Sequence, residues 1–376
     1  MKQACNNYPV SEKDNKRVPL KANKTFKYNE MKAFKFITTL IVISMLTTAA
    51  VSAEEKTKEY NESWPVDAVS TLQVVNKFGE VRINNDGGSE VTIDVTVTVE
   101  AANERKAEEL LDMIEVKFSK SGSTVKAETE IENNFKSQRK FSIDYVVNIP
   151  SDKNLEIENK YGNTIVNDLE ADGIFDIKYG NFTASELKTP EGGKLRLDLK
   201  YGNGSIGEAS NLEAIVGYSP LTIEEVKSLD LESKYSNIEV EEGGDFLIDS
   251  KYDKLNFGEV GSVSAETKYT NIKIDQLSKS LKIESGYGGV QVGEIDEGFE
   301  FISVTNSYGQ IRLGLDDASY NVEAECKYCG IDYPEDDFTG DRIKENNSFS
   351  IKGKVGTTTG GKVNIKSQYG EIKLND

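Results

Sequence analysis

Tyrosine recurs along this chain at nearly constant spacing. It stands at Tyr161, Tyr179, Tyr201, Tyr218, Tyr235, Tyr252, Tyr269, Tyr287, Tyr308, Tyr328 and Tyr369. From Tyr201 to Tyr269 the steps are 17, 17, 17 and 17; the others are 18, 22, 18, 21 and 20, then a double step of 41. A fixed period of this size marks one small structural unit, copied and stacked. It constrains the architecture closely and the function little, because solenoids carry both enzymes and binding surfaces.

One repeat shows the unit. Leu229, Leu231, Ser233 and Tyr235 share a parity, so in a strand they share a face. Ser236-Asn237 interrupts the run, and Ile238 and Val240 restart it. The copies agree: Val263, Ala265, Thr267, Tyr269 precede Ile272 and Ile274, and Phe246, Ile248, Ser250, Tyr252 precede Leu255 and Phe257. The residue after tyrosine is often glycine (Gly162, Gly180, Gly202, Gly288, Gly309, Gly370) and the next often asparagine. Both tolerate positive φ, so the sharp corner is predicted there. So short a coil is stable only when each strand pairs in parallel with its copy one coil away. The pattern predicts an all-β chain: a single-stranded, right-handed parallel β-helix of roughly 17–22-residue coils, with the tyrosines stacked ring on ring inside a corner. The competing architecture, a β-propeller, needs blades of about 40 residues or more.

The segment Met31-Lys-Ala-Phe-Lys35, the apolar run Phe36–Thr48 and the small residues Val51-Ser-Ala53 read as a secretory signal, cleaved between Ala53 and Glu54. Residues 1–30 then read as an untranslated or disordered leader, with Met31 the true start. A membrane anchor is the other reading of the apolar run, which is short for one. Residues 1–53 hold nine Lys/Arg and three Asp/Glu, so the net −19 of the chain becomes −25 for the exported part. That charge argues against nucleic acid and anionic lipid as partners. No cysteine adjoins the cleavage site to carry a lipid anchor, and no second apolar span follows.

Beyond the signal, residues 54–72 read as a polar lead-in. Residues 73–150 read as a first coil, with Phe78 in the tyrosine slot, followed by capping strands and one helix begun by Asn103, with Ala107, Leu110, Leu111 and Ile114 at helical spacing. Regular coils fill 151–376, and segment 84–150 is placed to cover the open edge of the first. After Tyr328 an insertion, Tyr333–Asp341, swells one loop. Lys354-Val355-Gly356 then reads as a degenerate Lys-Tyr-Gly corner.

The chain has no histidine, which excludes Ser-His-Asp and Cys-His mechanisms and histidine metal ligands. Lysine precedes tyrosine at Lys160, Lys178, Lys200, Lys234, Lys251, Lys268 and Lys327. An acid stands two residues before each lysine: Glu158, Asp176, Asp198, Glu232, Asp249, Glu266 and Glu325. The rows read as a mutually neutralising outer face, or as a track for a polyanion. Acids are so abundant that no pair stands out as a glycosidase or lyase site. Glu335, Asp336, Asp337 and Asp341 read as an acidic surface loop, or as oxygen ligands for Ca²⁺ in no standard loop pattern. Cys326 and Cys329 read as small residues in small slots, or as a disulfide across one corner; redox catalysis or metal binding is the remaining reading of this C-x-x-C, without the usual strand-then-helix context.

Asn76-Lys-Phe-Gly79, the Asn103–Asp112 helix, Phe141-Ser-Ile-Asp-Tyr-Val-Val-Asn-Ile-Pro150 and the repeated Lys-Tyr-Gly-Asn corners together resemble the putative-adhesin domain family of exported β-helix proteins. That family is common in Bacteroidota and related to the head domains of autotransporter adhesins. The resemblance covers roughly residues 70–376. It implies a β-helix exported to the periplasm or cell surface, and it carries no catalytic residues over. The sequence thus predicts a non-catalytic envelope module without cofactor or metal, whose partner is an envelope protein or a glycan. A carbohydrate-active β-helix enzyme and an envelope-stress or signalling accessory protein are the alternatives.

Overall fold

The computed structural model describes residues 54–85, 88–316, 318–357 and 360–375. The leader 1–30 and the signal segment 31–53 lie outside the described residues. The rest is a parallel β-solenoid of about nine turns with coils of about 18 residues.

Its strands, numbered in chain order, begin with β1 (Glu54–Pro65), β2 (Thr71–Lys77), β3 (Val81–Asn84) and β4 (Glu90–Ala101). Helix α1 (Glu104–Leu111), β5 (Ile114–Ser121), β6 (Thr124–Ile131) and β7 (Phe141–Asn148) follow. The coils proper hold β8 (Asn154–Lys160), β9 (Thr164–Leu169), β10 (Gly173–Lys178), β11 (Phe182–Leu187) and β12 (Leu195–Lys200). Next come β13 (Gly204–Gly217), β14 (Pro220–Lys234), β15 (Asn237–Lys251), β16 (Lys254–Lys268) and β17 (Asn271–Tyr287). The last are β18 (Val290–Ile295), β19 (Phe301–Tyr308), β20 (Ile311–Leu313), β21 (Tyr320–Lys327), β22 (Ile331–Asp332), β23 (Phe338–Glu345), β24 (Ser348–Val355), β25 (Gly361–Gln368) and β26 (Ile372–Lys373).

The coils from β13 to β16 stack in register without a slip. Leu221 pairs with Ile238 and then Leu255, and Leu231 with Ile248 and then Ala265. Alternation puts Leu229, Leu231, Ile238 and Val240 inside. It fails where two outward residues follow each other, as at Glu241-Glu242, and the chain turns there. The short third face carries one inward position, filled by Val226, Val260 and Leu277. Gly243 takes it in one coil, where a Cβ would meet the Phe246 ring at 2.2 Å. The result is one continuous core running from Val69 to Leu374.

Both ends of the stack are permuted relative to the sequence. The coil of β2 and β3 is not outermost: β2 lies between β6 and β8, and β3 between β7 and β9. At the other end, β25 inserts between β19 and β21, and β26 between β20 and β22. Each end is then closed by antiparallel strands. β5 covers β6, β4 covers β7 and β1 covers β4, while β24 and β23 cover β21. Strands β6 and β7 of segment 84–150 form an extra rung beside β2 and β3.

Three expectations are corrected. Part of the lead-in 54–72 is a strand, β1, paired along all its length with β4 and tied to α1 through Lys56, whose Nζ meets Glu104 at 2.5 Å. The insertion after Tyr328 extends to Val355 and is mostly the β23–β24 hairpin, not a swollen loop. Val355 ends β24 opposite Phe338 and Tyr320, so 354–356 is no tyrosine corner. The double step of 41 residues to Tyr369 arises because the chain leaves the stack for the hairpin and returns one rung further in.

Candidate functional site

The tyrosines do form a ladder, but on the outside of the corner. Their side chains are 39–56% exposed. The stack begins at Phe78, runs through the repeat tyrosines from Tyr161 to Tyr308 in chain order, and ends with Tyr369 and then Tyr328. Centroid distances are 4.6–5.1 Å and interplanar angles 2–21°. The stack is about 54 Å long. Phe141 tilts against Phe78 at one end, 4.9 Å away.

The backbone explains the outward position. Phe78 and nine of the tyrosines are themselves left-handed, with φ of 54–65°. The exceptions are Tyr287 and Tyr308, where the positive φ passes to Gly288 and Gly309. The glycine after tyrosine is generally needed for another reason, close approach: a Cβ on Gly180 would lie 1.9 Å from the carbonyl oxygen of Gly162. A left-handed non-glycine residue costs about 1–2 kcal/mol. A stacked aromatic pair returns about 0.5–1.5 kcal/mol beyond its buried area. The two nearly cancel, which leaves the buried half of each ring as its net contribution to folding, while the other half stays open to solvent.

The flanking columns are polar. On one side Lys160, Lys178, Lys200 and Lys251 bond Glu158, Asp176, Asp198 and Asp249 at 2.7–2.9 Å. Those carboxylates raise the Lys178 and Lys251 ammonium pKa values. The lysine row is thus mostly neutralised by its own strands, and such surface pairs contribute roughly 0–1 kcal/mol each. On the other side asparagines form a ladder, Asn163 Oδ1 accepting from Asn181 N and Asn181 Oδ1 from Asn203 N.

Sequence reasoning missed a buried relay behind the stripe. Glycine is absent after tyrosine in five coils; Cys329 takes its place in one, and Ser219, Ser236, Asp253 and Thr270 in four consecutive ones. Gly202 N donates to Ser219 Oγ, Ser219 N to Ser236 Oγ, Ser236 N to Asp253 Oδ1 and Asp253 N to Thr270 Oγ1. Buried Asp253 also accepts from Ser233 Oγ, Ser250 Oγ and Lys251 N. The signal was available: polar residues replace glycine at this slot through the 17-residue steps.

The remaining candidates do not converge on a pocket. Cys326 and Cys329 flank the Tyr328 corner with Cα atoms 5.5 Å apart and are joined as a disulfide, Cys326 buried. Among Glu335, Asp336, Asp337 and Asp341, the first three precede β23, while Asp341 lies on it opposite Lys352. Arg342, the next residue on β23, reaches back over the acidic segment, donating to Tyr333 Oη at 2.6 Å and to the Glu335 carbonyl. A cation there would face the guanidinium. Among the described residues no cluster of three or more His, Cys, Asp or Glu is placed to hold a metal. Outward acids fall into columns, as in Glu208, Glu225, Glu242 and Glu259. Glu104 is held below the usual carboxylate range by its bond to Lys56, the opposite of what a proton donor needs. No described helix is long and apolar enough to cross a membrane.

No family model matches the chain. No curated protein matches it. Among solved structures it is similar to a putative cell adhesion protein from Clostridium sporogenes, at 11% identity over 85% of this chain and 99% of that one, with a TM-score of 0.20. A putative adhesin from Parabacteroides merdae is similar at 12% identity over 68% and 95%, TM-score 0.35. Another, from Bacteroides fragilis, is similar at 10% identity over 84% and 97%, TM-score 0.27. Similarities this distant assign no function.

Proposed function

We propose that this chain is an exported, non-catalytic β-solenoid that serves as an adhesin-like interaction module of the cell envelope, in the periplasm or at the cell surface. The tyrosine stripe is its contact surface. The observation behind this reading is the stripe itself: a continuous, half-exposed aromatic column that leaves about half of every ring open to solvent. Aromatic side chains lose little entropy on binding and are favoured at recognition surfaces. Even the acids that line a surface groove together, Glu239, Glu241, Glu242, Glu259, Asp275 and Glu294, stand on successive coils of the stack and do not break the repeat as the convergent groups of an active site do.

The test uses residues Glu54–Asp376, which hold the whole continuous core. Binding to isolated envelopes is compared between this polypeptide and one with stripe tyrosines replaced by asparagine. Loss of binding with unchanged circular dichroism is expected. Cleavage of any envelope polysaccharide, abolished by a single Asp or Glu substitution without unfolding, would replace this reading with that of a glycan-cleaving enzyme. Export is checked separately: the protein recovered outside the cytoplasm should begin at or near Glu54.

A further inference from the structure

The geometry of the stripe restricts the partner it can fit. Its ring faces are already occupied, each tyrosine lying between two others at about 4.9 Å. Only ring edges and hydroxyls project. A sugar ring that stacks on an aromatic face therefore finds no free face along the stripe. A partner meeting every rung must also repeat at 4.6–5.1 Å. A single extended peptide does not, because its side chains on one face recur every 6.5–7 Å or so. A stack of β-strands does, because strands lie about 4.7–4.9 Å apart.

We infer that the tyrosine stripe is a homotypic interface, in which two copies of this chain lie side by side with the ring edges and hydroxyls of one ladder meeting those of the other, rung against rung. This deepens the reading of the stripe as a contact surface and rests on it. A second copy has the same period by construction, and identical side chains on stacked strands form dry contacts of this type. Size agrees. An aromatic side chain presents about 150–250 Å², and the stripe tyrosines are roughly half exposed. About a dozen such residues offer on the order of 1,000 Å² per copy, above the roughly 800 Å² of a standard stable interface.

The flanking columns select an orientation. Lysine stands before tyrosine in seven coils, and two after it the column is mostly uncharged, with Asn163, Asn181, Asn203, Asn237 and Asn271 and a single lysine, Lys254, so the two columns lie on opposite sides of the stripe. With the twofold axis along the ladder, the two ladders run parallel and the Lys column of each copy faces the Asn column of the other. With the axis across it, Lys faces Lys. The parallel arrangement keeps the lysines that carry no ion pair among the described residues, Lys234 and Lys268, from meeting their own copies.

Sedimentation equilibrium on Glu54–Asp376 decides the matter, with Tyr201→Asn/Tyr235→Asn/Tyr269→Asn as the variant. Asparagine suits the left-handed corner, so the fold is retained while three rungs lose their rings. A wild-type dimer in the micromolar range is expected, with the dissociation constant raised at least about tenfold in the variant. Nitration of the wild type, mapped by peptide mass, gives a readout that needs no variant. The stripe tyrosines should be protected at high protein concentration and modified at low. A wild type that stays monomeric to about 100 µM, a dimer indifferent to the variant, or unprotected tyrosines would overturn the inference. A monomer that still binds envelope material or a glycan through the stripe would overturn self-pairing alone and leave the interaction-module reading standing.

Discussion

At the scale of single residues the left-handed tyrosine is the main finding, and it makes a sharp prediction. In an ordinary strand glycine is less stable than alanine by about 0.5–1 kcal/mol. At Tyr235, φ is 54°, and alanine keeps the Cβ strain while losing the ring. Tyr235→Gly should therefore be more stable than Tyr235→Ala by about 1 kcal/mol, read from urea midpoints at unchanged slope. The reverse order would mean the corner is not left-handed in solution. A second residue carries an unmet demand. The Tyr320 hydroxyl is buried and has no hydrogen-bond partner among the described residues. Tyr320→Phe should be neutral or stabilising by roughly 1 kcal/mol in the same assay. Burial also raises the Tyr145 and Tyr320 pKa values well above the usual tyrosine range. Their folded pKa lies above the unfolded value of about 10, so the stability they lend is complete below that pH and is lost as pH rises. Lys178 and Lys251, raised by their aspartates, act in the same direction, weakly because they are exposed. The melting temperature should fall above about pH 10, and less steeply in a Tyr145→Phe/Tyr320→Phe double variant. An unchanged slope in that variant would show that these two phenols are not its source.

At the scale of elements, the corner relay and the two permuted ends set the stability. Asp253 accepts hydrogen bonds from four donors at distances of 2.6–3.1 Å. Asp253→Ala strands those donors inside the stack and should cost roughly 3 kcal/mol or more, against a small effect for Asp249→Ala on the surface. Removing residues 361–376 should be worse than either. It empties the rung between β19 and β21, so the C-terminal end should become protease-sensitive while the central coils persist. These features mark how far the sequence could be read. The parity of Leu229, Leu231, Ile238 and Val240 specified the coil and its core, because alternation depends only on which side is dry. The outward turn of Tyr235 was hidden. Positive φ is ordinarily assigned to Gly and Asn, and here both neighbours were available to take it. The permuted order was hidden for a different reason. Coils with the same pattern are interchangeable as neighbours, so periodicity states that they stack and not in which order. Only the 41-residue step and the irregular stretch after Phe78 pointed to it.

At the scale of the whole molecule, local neutrality and global charge act against each other. The chain from Glu54 carries a net −25, spread over a thin solenoid, while the borders of the stripe are largely neutral because lysines such as Lys178 and Lys251 are already paired. Two copies meeting along the stripe bring their full charges together but place few uncompensated charges in contact. Their repulsion is long-ranged, and salt shortens it: the screening length falls from about 30 Å at 0.01 M to about 8 Å at 0.15 M. Dimerisation through the stripe should therefore strengthen as salt is raised. Recruitment of a polyanion by the lysine row would do the opposite, because salt weakens that attraction. Sedimentation equilibrium at low and physiological ionic strength separates the two. Tighter self-association at the higher salt, absent from the three-asparagine variant, is the expected result. Weaker association at higher salt would mean that exposed charges, and not ring edges, hold the copies together.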